Sequence, residues 1–288
     1  MANISAADVK ALREKTGAAM MECKNALVET DGDFAKAEKI LKEKGLAAVE
    51  KRASRATNAG KVTIKINEDA SGSSAAMVDI AAETDFVARN PEFIALGKTI
   101  ADIVLEKKYT EANEELNNLV MDLAAKIREN MGLKRVKYIT ASKDEYLSSY
   151  IHGDGAIGII VKFGSDKPEM FKDEEVKAFA FSIALHVAAF NPVALNQSKV
   201  DPAWLKEQEE IFKAQMEQDE SMKGKPANVL ENIHKGKVSK FLKDICLMDQ
   251  AYVKDEKMTV TQALADFNKK TGINLTIKDY FYLRVGGE

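Results

Sequence analysis

Lys61-Val62-Thr63-Ile64-Lys65-Ile66 is where the period of the chain changes. Apolar side chains alternate there with Lys and Thr, the two-residue repeat of a strand with one buried face. Upstream the apolar repeat is that of helices. Ser5 followed by Asp8 is a capping-box pattern, Val9 and Leu12 form an apolar stripe, and Thr16-Gly17 stops the first helix. A second helix carries Met20, Cys23 and Leu27 on one side. Asp31-Gly32-Asp33 breaks the chain, and Asp33 caps a third helix bearing Phe34, Ala37 and Leu41 that is expected to end at Gly45. Helices this short are not stable alone, so residues 1–45 are expected to pack as a small three-helix bundle, with 46–60 a basic, alanine-rich linker.

Downstream, Asn67 to Ser73 has turn chemistry and Ala76 to Ala81 reads as the returning strand. Asn90-Pro91 opens a helix with Ile94, Gly97, Ile100 and Val104 inward. A further helix is expected from Leu116 through Met131, and strand resumes at Val136 to Ile139. The second half has a similar layout: a hairpin of Tyr146–His152 and Ala156–Phe163 joined at Gly153-Asp154-Gly155, then a helix with Val176, Phe179, Ile183 and Val187 inward, stopped at Asn191-Pro192. Two helices turning at Lys223-Gly224-Lys225-Pro226 make a helical hairpin, Thr259 to Lys270 is a last helix, and Leu275 to Val285 a last strand. The expected class is α+β: the bundle, then a core of two similar αβ subdomains (61–142 and 143–200) with antiparallel sheets, interrupted by the hairpin (201–246) before 247–288 returns to the second subdomain.

Composition narrows the function. The 288 residues carry a net charge of −3, which does not suit a generic nucleic-acid binder, whose affinity comes largely from neutralising phosphates. The basic runs Lys51, Arg52, Arg55 and Lys134, Arg135, Lys137 read as solvated surface. Two distant cysteines, Cys23 and Cys246, fit a reducing compartment and neither a disulfide framework nor a zinc site. No apolar stretch approaches the roughly 18 residues of a membrane span, and the N-terminus turns polar at once, so a cytoplasmic protein is expected.

Sequence motifs for catalysis are weak. Gly153-Asp154-Gly155-Ala156-Ile157-Gly158 matches the dinucleotide fingerprint, but Ile159 to Phe163 continues as strand where a helix is required, so a hairpin turn is the better reading. Gly97-Lys98-Thr99 falls inside a helix, without the upstream glycine of a phosphate loop. His152, His186 and His234 are scattered, and His186 reads as a packed histidine. No catalytic residue, cofactor or metal site is expected. Thr84-Asp85-Phe86-Val87 remains, in a loop between strand and helix, where functional residues gather. Its bland alternative has Phe86 packed inward and Asp85 bonding backbone N–H groups.

Thr84-Asp85-Phe86-Val87-Ala88-Arg89-Asn90 resembles the signature segment of the elongation factor Ts family. Leu12 to Leu27, Tyr150-Ile151-His152-Gly153 and His186 to Pro192 resemble its other motifs, in the same order along nearly the whole chain. The resemblance departs at Ala19, where the family has glycine, and at Ala156, where it has a basic residue. It implies a ubiquitin-associated-like first bundle and a guanine nucleotide exchange factor that binds elongation factor Tu with GDP. Positions matching Arg13, Met20 and Met21 would meet the partner's nucleotide domain. Asp85 and Phe86, flanked by Thr84 and Val87, would wedge between partner helices and disturb its magnesium and phosphate site, and His152 would touch another part of it. Of the two methionines, Met21 is the better candidate for exposure. Direct nucleic-acid or membrane binding is not expected, and pairing of two copies through the helical hairpin stays open. The rivals are an RNA-binding protein using the basic segment near Lys51, and an enzyme that binds GDP itself.

Overall fold

The structure is a computed structural model that describes residues 4–69 and 72–287. It divides into two compact units, the first comprising residues up to Thr140 with Ile151–Gly158 and the segment from Leu283, the second comprising Ala141–Tyr150 and Ile159–Tyr282.

The first unit begins with α1 (Ala6–Thr16), α2 (Met20–Glu29) and α3 (Phe34–Arg52). Ser5 and Asp8 form the expected capping box, Gly17 closes α1 in the left-handed region, and Asp33 caps α3 by accepting from the Lys36 N–H. Val9, Leu12, Cys23, Ala26, Leu27, Ala37 and Leu41 close a small core. Gly45 does not end α3, contrary to the sequence expectation: the helix runs on to Arg52, and only residues 53–58 separate it from the sheet. The glycine serves packing instead. A Cβ at position 45 would lie 3.0 Å from the Ala125 Cβ, so its hydrogen lets α3 lie close against α6 (Glu114–Ile127). One turn later, Val49 enters the core under the sheet.

That sheet has the order β1 (Ala59–Asp69), β2 (Gly72–Ala82), β3 (Met131–Ser142), with β1 and β2 antiparallel in continuous register from Ala59 opposite Ala82 to Asp69 opposite Gly72. The two strands run further than their alternating residues suggest, to Asp69 and from Gly72; Ala70 and Ser71 of the turn expected at 67–73 lie outside the described residues. β2 is the middle strand and is buried from Ala75 to Ala82. Within it Asp79, 1% exposed, is bonded by Arg135 of β3 at 2.8 and 3.0 Å. Burial pushes this carboxyl up from its ordinary value, opposed by the guanidinium. Arg135 is therefore half-buried against a buried carboxylate and not solvated surface, a correction that only the sheet pairing reveals. Helix α5 (Pro91–Lys107), capped by Asn90 with Pro91 at its first position, buries Phe93, Gly97, Ile100, Ala101 and Val104. Met131 starts β3 instead of ending the preceding helix: Arg128 turns left-handed, at φ 69°, and stops α6 at Ile127.

The second unit holds most of the sheet β4 (Glu145–His152), β5 (Ile157–Gly164), β8 (Thr276–Arg284), whose middle strand buries Ile159, Ile160, Val161 and Phe163 completely; the strand ends Ile151–His152, Ile157–Gly158 and Leu283–Arg284 belong to the first unit. Helix α7 (Glu174–Phe190) packs Val176, Phe179, Ile183 and Val187 inward, with Phe179 stacked on Phe267 of α10 (Val260–Thr271) at 4.2 Å. A three-stranded sheet with a buried middle strand and a helix of 17 residues thus occurs in each unit, the expected α+β class. His186 is a packed histidine: its Nδ1 accepts the Val253 N–H at 3.1 Å and its Nε2 meets Gln250 Oε1 at 3.0 Å. The helical hairpin is α8 (Pro202–Gln218) and α9 (Ala227–Ile245), tied at its base where Ala194, Val200 and Cys246 meet Trp204, Leu205, Leu242 and Ile245.

Candidate functional site

Thr84 ends the strand geometry and caps a single helical turn, α4 (Asp85–Ala88), so the segment is a short helix and not a loop. Its Oγ1 accepts the Val87 N–H at 3.3 Å and donates to Glu129 at 2.9 Å. A turn of helix places successive side chains about a hundred degrees apart. Val87 and Ala88 consequently face inward, 6% and 5% exposed, while Phe86 faces solvent at 81%. The inward-packed alternative for this ring is excluded. Asp85 is exposed and pairs with Arg89, one turn on, at 3.4 Å.

Arg89 also approaches Asp154 at 3.9 Å, in the turn Gly153-Asp154-Gly155. That turn is fastened to the first strand. Lys61 Nζ bonds both the backbone carbonyl and the carboxylate of Asp154 at 2.6 Å, and the Val62 N–H donates to Gly155 O at 2.7 Å. The Lys61 ammonium holds the Asp154 carboxyl below its ordinary range. All three turn residues have positive φ, which suits the two glycines. His152, exposed at the end of β4, is thereby brought to the same unit as Phe86. Arg89, Lys61 and Asp154 were not singled out in the sequence; the glycines around Asp154 marked a turn but gave no sign of what it would meet.

Arg13 is exposed on α1. Met20 and Met21 open α2 and are 45% and 62% exposed, so Met20 does not join Cys23 and Leu27 in the bundle core as its spacing suggests; Ala26 does. Both methionines sit in the first turn, ahead of the stretch that faces α3. Glu22 steadies this turn by accepting the Ala19 N–H at 3.0 Å, and that bond, assisted by Arg128, lowers its pKa. All eight residues singled out as contact residues therefore lie in the first unit, with Phe86, Met20 and Met21 outward and Val87 supporting from beneath. Among the described residues, no group of three or more His, Cys, Asp or Glu is placed to hold a metal ion, and no helix is long and apolar enough to cross a membrane.

An aromatic ring held outward by a capped, packed turn, with exposed methionines in the same unit, makes this an α+β protein with apolar groups at its surface. Comparison with known proteins gives the family. The family model described as elongation factor TS matches residues 83–287. Elongation factor Ts of Treponema denticola is 48% identical over 99% of both chains. That of Clostridium acetobutylicum is 38% identical over 96% of this chain and 90% of its own, and that of Desulfovibrio desulfuricans 36% over the full length of both. The chain belongs to the elongation factor Ts family.

Proposed function

We propose that the chain is a guanine nucleotide exchange factor that binds elongation factor Tu with GDP in the cytoplasm and promotes GDP release during translation elongation. Family membership supports the exchange role in general. The finer reading rests on one observation: Phe86 is 81% exposed on a turn whose next two residues are buried. In this reading Phe86 enters between helices of the partner, and Asp85 perturbs groups around its magnesium and phosphates without binding the metal. Arg13, Met20 and Met21 meet the nucleotide domain, and His152 a separate part of the partner.

An exchange factor of this kind makes no covalent change. It binds the empty partner more tightly than the loaded one, and linkage requires nucleotide affinity to fall by the same factor. Weakening by about ten-thousand-fold takes roughly 5.5 kcal/mol of differential binding. Burying one phenylalanine supplies about 1.5–3 kcal/mol. The wedge needs the methionine surface and the core contacts beside it.

Stopped-flow release of a fluorescent GDP from elongation factor Tu, with and without this chain, tests the proposal. The native chain is expected to accelerate release. Phe86→Ala, altering an exposed side chain, is expected to fold normally and lower the maximal rate about tenfold or more, the factor that corresponds to its burial. Release as fast with the variant as with the native chain would remove the wedge.

A further inference from the structure

Three consecutive residues behind α6 each tie down a different part of the partner-facing surface. Arg128 donates to Glu22, the residue that caps the turn bearing Met20 and Met21. Glu129 accepts the Thr84 hydroxyl at 2.9 Å, and Thr84 caps the turn bearing Phe86. Asn130, 7% exposed, accepts the N–H of Glu83, next to Thr84, at its carbonyl at 3.2 Å, donates its own N–H to the Glu83 carboxylate at 2.5 Å, and through its side-chain amide donates to the carbonyls of Ala53 and Arg55 at 3.3 and 2.7 Å. The carbonyls belong to the segment that leads from the bundle to the sheet. Glu83 is further held by Arg55 at 3.4 Å.

We infer that Arg128-Glu129-Asn130 is a positioning segment that holds the Met20–Met21 turn and the Phe86 turn in one frame, so that the two apolar surfaces engage the partner as a unit. The inference rests on the exchange reading and names the residues that make its separate contacts cooperate.

Two further features favour this role over simple chain connection. Arg128 adopts φ 69° and ψ 25°, a left-handed conformation for which glycine is the usual occupant at a helix end. The side chain at this position does what glycine could not: its guanidinium reaches Glu22, 106 residues away in sequence. The α1–α2 loop also abuts the end of α6: a Cβ at Gly17 would lie 2.8 Å from the Lys126 carbonyl oxygen. The bundle is therefore seated against the segment by close backbone approach as well as by charge.

Arg128→Gly separates positioning from folding, because glycine suits the backbone while the tie to Glu22 is lost. In the full-length chain this variant is expected to keep or raise the thermal midpoint, yet to lower maximal GDP release from elongation factor Tu roughly fivefold, within the range of coupling between neighbouring groups. Arg128→Lys is expected to recover part of the loss. In the native background, Met21→Ala and Phe86→Ala are expected to act non-additively; in Arg128→Gly their fold-changes are expected to multiply. Native release rates in Arg128→Gly, or undiminished coupling within it, would overturn the inference. Should Arg128→Gly lower the thermal midpoint, Glu129→Ala carries the same test with the same two outcomes. A Phe86→Ala variant that exchanges normally sinks the exchange reading itself, whereas a slow Phe86→Ala beside a native-rate Arg128→Gly sinks only the positioning segment.

Discussion

Phe86 and Val87 are neighbours of similar hydrophobicity, yet one is 81% exposed and the other 6%. Their fates differ because Thr84 starts a helical turn at that point, and the turn rotates only one of them toward α5 and the sheet. The opposite situation holds at His186, a titratable ring sealed among Phe190, Tyr252 and Gln250. Burial lowers its pKa below the ordinary 6.5. Because Nδ1 accepts from Val253, Nε2 carries the proton toward Gln250, and the ring is neutral. A histidine whose folded pKa is depressed contributes stability that is complete above the unfolded value and is lost as pH falls below it. The unfolding free energy is therefore expected to decline from about pH 6.5 toward pH 5, by at most about 1.4 kcal/mol per pH unit from this group. Urea titrations of the native chain and His186→Gln across that range would check it; equal acid slopes in the two would show that His186 does not titrate in this way.

At the scale of elements, local sequence was legible wherever a cap or an alternating pattern acts on its own neighbours. The Ser5–Asp8 box, the Asp33 cap, Asn90-Pro91 and the strand from Lys61 to Ile66 all appear as read, although of that strand's apolar residues only Val62 is buried and Ile64 and Ile66 are half-buried. Misreadings fell where a distant partner overrode a local signal. Gly45 reads as a helix stop, but its small size is used against Ala125, 80 residues on, and the favourable packing of the longer helix outweighs the roughly 1 kcal/mol helix penalty of glycine. Gly45→Leu is accordingly expected to destabilise the first unit by about 1–3 kcal/mol through overpacking. Chemical denaturation is the check, and an unchanged midpoint would mean that α3 and α6 yield easily. At Met131 the apolar spacing continues that of α6, while the left-handed Arg128 that ends the helix has no signature of its own.

For the whole molecule, the helical hairpin is nearly all surface: Met216 is the single buried residue of α8, and α9 has none. Its buried cluster lies at the base, around Ala194, Val200 and Cys246, and above it Phe212 meets Phe241 edge to face at 5.2 Å. Replacing residues 209–238 by a short flexible linker is expected to shift the thermal midpoint of the remainder by no more than about 3 °C, the equivalent of about 1 kcal/mol at this size. Calorimetry that found a loss of more than about 10 °C would assign the hairpin to the cores. Sequence by itself determined the alternation of helix and strand, the α+β class and the candidate segment Thr84–Val87, because caps, turns and hydrophobic periods act over a few residues. Only the tertiary structure decided that Phe86 faces outward, that Met20 is exposed beside Met21, and that Lys61 fastens a turn 93 residues away. Those outcomes depend on side chains meeting across elements, and the period of a strand or helix carries no record of which distant group will arrive opposite it.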